Sequence, residues 1–327
     1  MLINPLIIVR DIHFASSVIL AGIAFFDWLI ASLVLRRHFR TQAAERCFRD
    51  RIGRVFWICL ALSLLSALAW LCLLSARIAG KAFTAVILDG TVSKVLSNTQ
   101  FGHAWQARLI LCVLLALGAS PWPKASETSI GLWRKAFAAL LAGAYLGTLS
   151  FAGHGEEGVG VEQYIHLTAD FLHLMAAGLW LGGLVPLALL LVYLRRFREA
   201  DWVPASAEAG GRFSTLGILA VGVLLVSGTI NASFLLSGMN SLIDTVYGRW
   251  LLLKITLAAA MIALAGINRE HLLPQLYGDV AIGHSAMTTQ RLIRNTLIEI
   301  ALGIGIILIV GTLGIMPPAN EMAAHVH

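Results

Sequence analysis

Charge is scarce in this chain, and what there is leans to one sign. Of 327 residues only 13% are Asp, Glu, Lys or Arg, against 58% hydrophobic, with a formal net charge of +6 and mean hydropathy of +0.81. That balance excludes a soluble globular domain. Cysteine is confined to positions 47, 59, 72 and 112, without paired spacing, so no disulfide framework is implied and no C-x-x-C-H haem attachment is present. A phosphate-binding G-x-x-x-x-G-K-[ST] loop is also missing, which argues against an ATP-driven pump. No stretch between the apolar runs is long enough to bury its own core, so residues 1–327 read as one integral membrane domain. The first residues lack the charged, apolar and small-residue order of a cleavable signal, and Arg10, Asp11 and His13 are expected within a mature first helix.

Long apolar runs are what the chain has in abundance. Eight are long enough to span a bilayer, at roughly 6–35, 55–76, 104–120, 133–152, 166–194, 213–236, 248–267 and 292–315. The expected fold class is therefore all-α, a polytopic bundle of about eight transmembrane helices. The third run is the shortest and carries Arg108. Seventeen of the 24 Lys and Arg fall in alternate connections, seven of them between Arg36 and Arg54, which marks that side as cytoplasmic. Both termini and the 153–157 loop are then expected on the periplasmic side. The positive charge is a topology signal, so no nucleic-acid partner is expected; membrane lipid is the surrounding partner. The longest connections are expected at about 77–103 outside, with a short surface helix or else a loop or re-entrant segment, and 268–291 inside.

The chemistry concentrates in His166-Leu-Thr-Ala-Asp170-Phe-Leu-His173, where spacings of four and three residues put two imidazoles and a carboxylate on one helix face. Ionisable groups in a membrane helix are costly, about 2.5–3.5 kcal/mol for an Asp near the centre, and face a partner or a cavity. Seven of the ten histidines, at 13, 103, 154, 166, 173, 325 and 327, fall on the outer side. Neutral imidazole is a common copper and zinc ligand, so a metal site there is expected from His13, His154, His166 and His173. Asp11 and Asp170 are expected to orient those rings rather than ligate. Met316 and Met322, whose thioethers suit Cu(I), and His103, His325 and His327 form an outer tier of candidates. For each of these the competing reading is structural: a polar cluster between helices, a helix start or a solvated tail.

Several polar residues inside the runs read as structure. Glu299 lies near the depth of Asn268–Arg269, and a buried Glu–Arg pair is expected. Lys254 is about two turns into the seventh run, where it either repels a cation or neutralises a carboxylate. Gly178, Gly182 and Gly183 permit close helix approach. There is also an internal echo: His13 precedes Gly22 by nine residues, and His173 precedes Gly182 by nine. It reads either as a parallel repeat of helices 1–4 and 5–8 or as chance similarity between apolar helices.

Asp170-x-x-His173-x6-Trp180-x-Gly182-Gly183-Leu184 resembles the signature helix of the copper-resistance protein D (CopD/PcoD) family. The resemblance continues through Gly211-Arg212-Phe213-Ser214, Ser227-Gly228-x-x-Asn231 and Thr245-x-Tyr247-Gly248-Arg249-x-Leu251-Leu252-x-Lys254. It extends to Asn268-Arg269, Glu299 and Leu313-Gly314-x-Met316-Pro317-Pro318-Ala319, so the signature region covers most of 166–319. It implies an eight-helix bacterial inner-membrane protein that handles copper ion, Cu(I) or Cu(II). It also implies a periplasmic partner of the CopC type, expected as a separate chain, and copper passage from periplasm towards cytoplasm. No catalytic residues are expected, and the chain reads as a transporter rather than an enzyme. One alternative is a haem-binding electron carrier or cupric reductase, with paired histidines as axial ligands. The other is a non-transporting membrane partner that docks a periplasmic copper chaperone.

Overall fold

The computed structural model describes residues 4–39, 41–118, 129–152, 160–197, 201–282 and 286–320. Among them are eight helices long and apolar enough to cross a membrane: α1 (Pro5–His38), α2 (Ala43–Ala79), α3 (Gln100–Gly118), α4 (Gly131–Ala152), α5 (Val161–Phe197), α6 (Trp202–Leu235), α7 (Val246–Gly278) and α8 (Met287–Leu313). No strand occurs among the described residues. The expected all-α membrane bundle is the fold observed. Its lipid-facing surface is apolar, with Leu219, Leu225 and Val226 of α6 and Leu252, Leu253 and Ile255 of α7 all exposed.

Several helices outrun their apolar runs. α2 begins at Ala43, so Arg46, Arg49, Arg51 and Arg54 ride on the helix rather than in a loop. α7 continues to Gly278 through a π-helical turn at Asn268–Leu272, so the expected inner connection from 268 is largely helix. Charged residues mask such extensions, because a helix end beyond the hydrocarbon needs no apolar side chains. The outer 77–103 segment holds two short helices, Phe83–Leu88 and Thr91–Asn98, where one was expected.

α1 is the central element, packed on α2, α4, α5 and α8. Leu20, Ala21 and Ile23 are fully buried. It meets α5 backbone to backbone: a Cβ on Gly22 would lie 2.0 Å from the Gly182 carbonyl carbon, and one on Gly182 would lie 2.1 Å from the Val18 oxygen. Only glycine allows that approach, and in lipid close packing is what holds helices together. The two glycines of the sequence echo are thus the two faces of one crossing. α5 makes a π-helical turn there, Gly178–Gly182, and α1 makes one at Asp27–Ala31. Such turns are often found at functional sites.

The turn in α1 carries a buried ion network. Asp27 Oδ1 accepts from Arg49 Nη1 at 3.0 Å and from Lys135 Nζ at 3.4 Å, and Arg49 Nε donates to Glu45 at 2.8 Å. Two acids and two bases cancel, so Arg49 and Lys135 serve helix packing as well as topology.

Candidate functional site

The helical register of α5 delivers the geometry its spacing predicts. His166, Asp170 and His173 all line one cavity of about 220 Å³ at the end of the bundle where α5 begins. α1, α4, α6, α7 and α8 complete the wall, with Arg10, Asn231, Tyr247 and Lys254 as its other polar members.

His173 is held in one tautomer. Its Nδ1 lies 3.0 Å from Ser227 Oγ, and that hydroxyl already gives its proton to the Val223 carbonyl at 2.6 Å. Ser227 can then only accept, so Nδ1 carries the hydrogen and Nε2 keeps its lone pair. The Leu224 backbone also takes a hydrogen bond from the ring, and no side chain among the described residues bonds Nε2. His166 stacks on Phe234, ring centroids 4.9 Å apart, which fixes its plane. Asp170 Oδ1 accepts from Asn231 Nδ2 at 3.4 Å, and the carboxylate acts electrostatically on the Lys254 ammonium. Asn231 Oδ1 is buried with no hydrogen-bond partner among the described residues. A buried amide oxygen left without a donor points to something that completes it.

This donor set is of a kind that could hold a transition-metal ion: an imidazole lone pair, a second imidazole, a carboxylate and a spare amide oxygen. It is not a closed cage. Among the described residues no three His, Cys, Asp or Glu side chains converge on one point. Two cations, Arg10 and Lys254, share the wall.

His13 belongs to a different place. It is fully buried, its Nδ1 lies 2.9 Å from Ser66 Oγ and 3.0 Å from the Ser63 carbonyl, and its Nε2 accepts from Arg108 Nε at 2.8 Å. Both ring nitrogens are thereby occupied, and Trp70, Trp105 and Tyr145 pack around the ring. The structure therefore does not bring His13 together with His166 and His173. Arg108 also bonds Thr148, and it is the residue that sequence reasoning passed over; a lone arginine in an apolar run was the available signal. Asp11 does not line the cavity either, and its carboxylate sits where a side chain on Gly311 would be. Arg10 lies beside Gly314 and over Trp70, 4.5 Å from the ring centroid.

His103 is exposed at the start of α3, with Nε2 3.2 Å from the Ser97 carbonyl. Met316 packs against the Tyr247, Ile309 and Leu313 cluster. His154, Met322, His325 and His327 lie outside the described residues. Glu299 takes Asn268 as its partner, Nδ2 to Oε1 2.7 Å, in place of the expected Arg269, which instead donates to Ser214 Oγ at 3.0 Å. The π-helical turn at Asn268 re-aims consecutive side chains, which spacing alone could not reveal.

The two halves of the bundle are alike in detail. Thr99 Oγ1 caps the Gly102 amide at 2.9 Å and Thr245 Oγ1 caps that of Gly248 at 2.9 Å. Arg108 and Lys254 each stand six residues beyond those glycines. Each cation faces a histidine that leans on serine from the preceding helix, His13 on Ser66 and His173 on Ser227.

Fold and cavity together define a multi-pass helical membrane protein with an imidazole–carboxylate chamber at one end. Comparison with known families makes this specific. Residues 1–164 match the copper resistance protein D-like N-terminal domain and residues 207–313 match copper resistance protein D, so the chain belongs to the copper resistance protein D family. It is 29% identical over 312 residues to inner membrane protein YebZ of Escherichia coli (strain K12), covering 95% of this chain and 98% of that protein. It is 26% identical to copper resistance protein D of Pseudomonas syringae pv. tomato over 97% of this chain and 98% of the relative. Copper transport protein CutJ of Bacillus subtilis (strain 168) is 35% identical over 195 residues, which are 58% of this chain and 34% of CutJ.

Proposed function

We propose that the chain is a bacterial inner-membrane copper carrier that takes copper from the periplasm into the His166–Asp170–His173 cavity and passes it towards the cytoplasm. The observation that carries this reading is the tautomer lock on His173, which leaves an imidazole lone pair without a partner beside a buried, unpaired amide oxygen. The excess of arginine at the opposite end of the bundle supports an orientation with this cavity, and both termini, on the periplasmic side. Relatives named for copper transport and copper resistance support copper as the cargo.

In this reading Lys254 neutralises Asp170 when no copper is bound, and an arriving cation takes that place. A chamber with incomplete coordination suits a carrier, because release must follow binding. The donor of copper is a periplasmic copper-binding chain of the CopC type, docking at the cavity's end of the bundle. His13, whose lone pair is engaged by Arg108, acts in the first half as a packing counterpart of His173. The likeness of the two halves supports reading α1–α4 and α5–α8 as parallel repeats, with only the second keeping an open chamber.

The test is the metal content of the purified protein. Copper is expected in the wild type and in His13→Ala, and is expected to be lost in the His166→Ala/His173→Ala double variant. Retention by the double variant, or no copper in the wild type, overturns the reading; a Soret band would favour the haem alternative. Copper entry into proteoliposomes of known orientation then measures direction.

A further inference from the structure

The cavity at the start of α5 stops halfway through the bundle. Its floor is formed by Ala177 and Leu181, at the π-helical turn of α5. Leu181 is seated on α8 so closely that a Cβ on Gly303 would lie 1.9 Å from its Cδ1.

Beyond this floor a second cavity of about 220 Å³ opens, lined by Trp180 of α5, Ser214 of α6, Asn268 and Arg269 of α7, and Thr296 and Glu299 of α8. Glu299 is 2% exposed. A chain of amides leads to it: Asn295 Nδ2 donates to Asn268 Oδ1 at 2.7 Å, and Asn268 Nδ2 donates to Glu299 Oε1 at 2.7 Å. Oε2 has no hydrogen bond among the described residues. The second cavity in turn shares Ser214, Arg269 and Leu273 with an open vestibule of about 610 Å³ that Arg37, Glu208 and Arg212 also line. The Arg269–Ser214 hydrogen bond stands where the two meet.

What could occupy this inner chamber follows from its donors. They are a carboxyl, amides and hydroxyls, with neither imidazole nor sulfur among the described lining residues, so it suits a hard ligand and not a soft copper ion. Arg269, paired with Glu270 at 3.4 Å, is the one other charged residue of that lining. α5 and α6 contribute only the uncharged Trp180 and Ser214 to the polar lining, and α8 adds Thr296. A lone carboxyl buried in a membrane helix, with one oxygen in a cavity that leads to water, is the arrangement of a proton relay.

We propose that Glu299 is a proton-exchange site, reached from the arginine-rich face past the Arg269–Ser214 hydrogen bond and sealed from the outer cavity by Leu181 on Gly303. The proton moves between a Glu299 carboxyl oxygen and water in the vestibule, with no change in bonding elsewhere. The site stands on its own geometry, independent of whether copper is the cargo.

The test uses the full chain in lipid, free of copper. Infrared difference spectra across a pH titration are expected to contain a protonated-carboxyl C=O band that disappears with rising pH and is missing in Glu299→Gln. A second measurement needs no variant: dicyclohexylcarbodiimide, to whose central carbon a protonated carboxyl adds, is applied to the wild type and its adduct located by mass spectrometry. Labelling at Glu299 is expected to fall at least severalfold from low to high pH. A titrating band that persists in Glu299→Gln, or labelling at Glu299 that is absent or independent of pH, overturns the proposal. Loss of copper binding in the histidine variants with Glu299 titrating normally, or the reverse, separates the two readings.

Discussion

Ser227 offers the sharpest test of the outer cavity, because its part is to position a ligand rather than to be one. Its hydroxyl gives its proton to the Val223 carbonyl and accepts from His173 Nδ1, so together with the Leu224 backbone it sets which ring nitrogen is bare. Ser227→Ala removes that acceptor with little change in volume. The buried Nδ1–H then loses its side-chain partner, at a cost of about 1–3 kcal/mol, and the ring can relieve it by switching tautomer or turning. Either response withdraws the Nε2 lone pair from the cavity. Loss of such a supporting partner weakens metal binding about 10–100-fold, equivalent to roughly 1.4–2.8 kcal/mol. The assay is competition for copper between the purified protein and a chromophoric chelator at fixed pH, with Ser227→Thr, which keeps a hydroxyl, expected to restore most of the affinity. A Ser227→Ala protein that is folded and binds copper as tightly as the wild type would refute the tautomer argument, and with it the observation on which the copper cavity rests.

Other consequences follow from the cations. Arg108→Leu removes donors from His13, Thr148 and Ser17 within the buried cluster, so it is expected to destabilise the fold by about 2–5 kcal/mol. That is measured as a lowered thermal unfolding midpoint in detergent, with copper binding intact; a variant that stays stable but loses copper would instead make the His13 cluster a ligand site. Lys254→Gln removes the charge that acts on Asp170 and His173. Copper should bind about tenfold tighter, the effect of ~1.4 kcal/mol of relieved repulsion. Weaker binding in the same chelator assay would show that Lys254 supports the site instead of competing with cargo.

Much of the fold was legible in the sequence because a bilayer imposes a one-dimensional rule. Spans need about 20 apolar residues, and their number survives any detail of packing. The ends were less legible: α2, α6 and α7 run on past their apolar stretches with charged residues, where hydropathy has nothing to report. The α5 face was legible too, since 3.6-residue periodicity alone sets His166, Asp170 and His173 side by side. What joins that face from elsewhere was not. Grouping His13 with His166 and His173 by their common outer side was reasonable, yet depth does not fix which side of a helix a residue presents. α1 turns its histidine into α2 and α3, towards Ser66 and Arg108. Asp27, in the π-helical turn of α1, is neutralised by Arg49 and Lys135 from two other helices, a meeting that spacing along the chain does not reveal. Glu299 faces Asn268 and not Arg269 because a π-helical turn shifts the register of α7 just there.

By itself, then, the sequence determined the solvent the protein lives in, the count of its crossings, their polarity of charge and the family to which its motifs belong. Each of these depends on composition along the chain and needs no knowledge of contacts. Only the tertiary structure decided that Gly22 and Gly182 are the same contact, that one histidine is locked and another left with a lone pair, and that Leu181 divides the polar interior in two. Those outcomes depend on where side chains from distant segments meet, and in lipid the meeting is governed by close packing and hydrogen-bond satisfaction instead of by a hydrophobic pattern that can be read in advance.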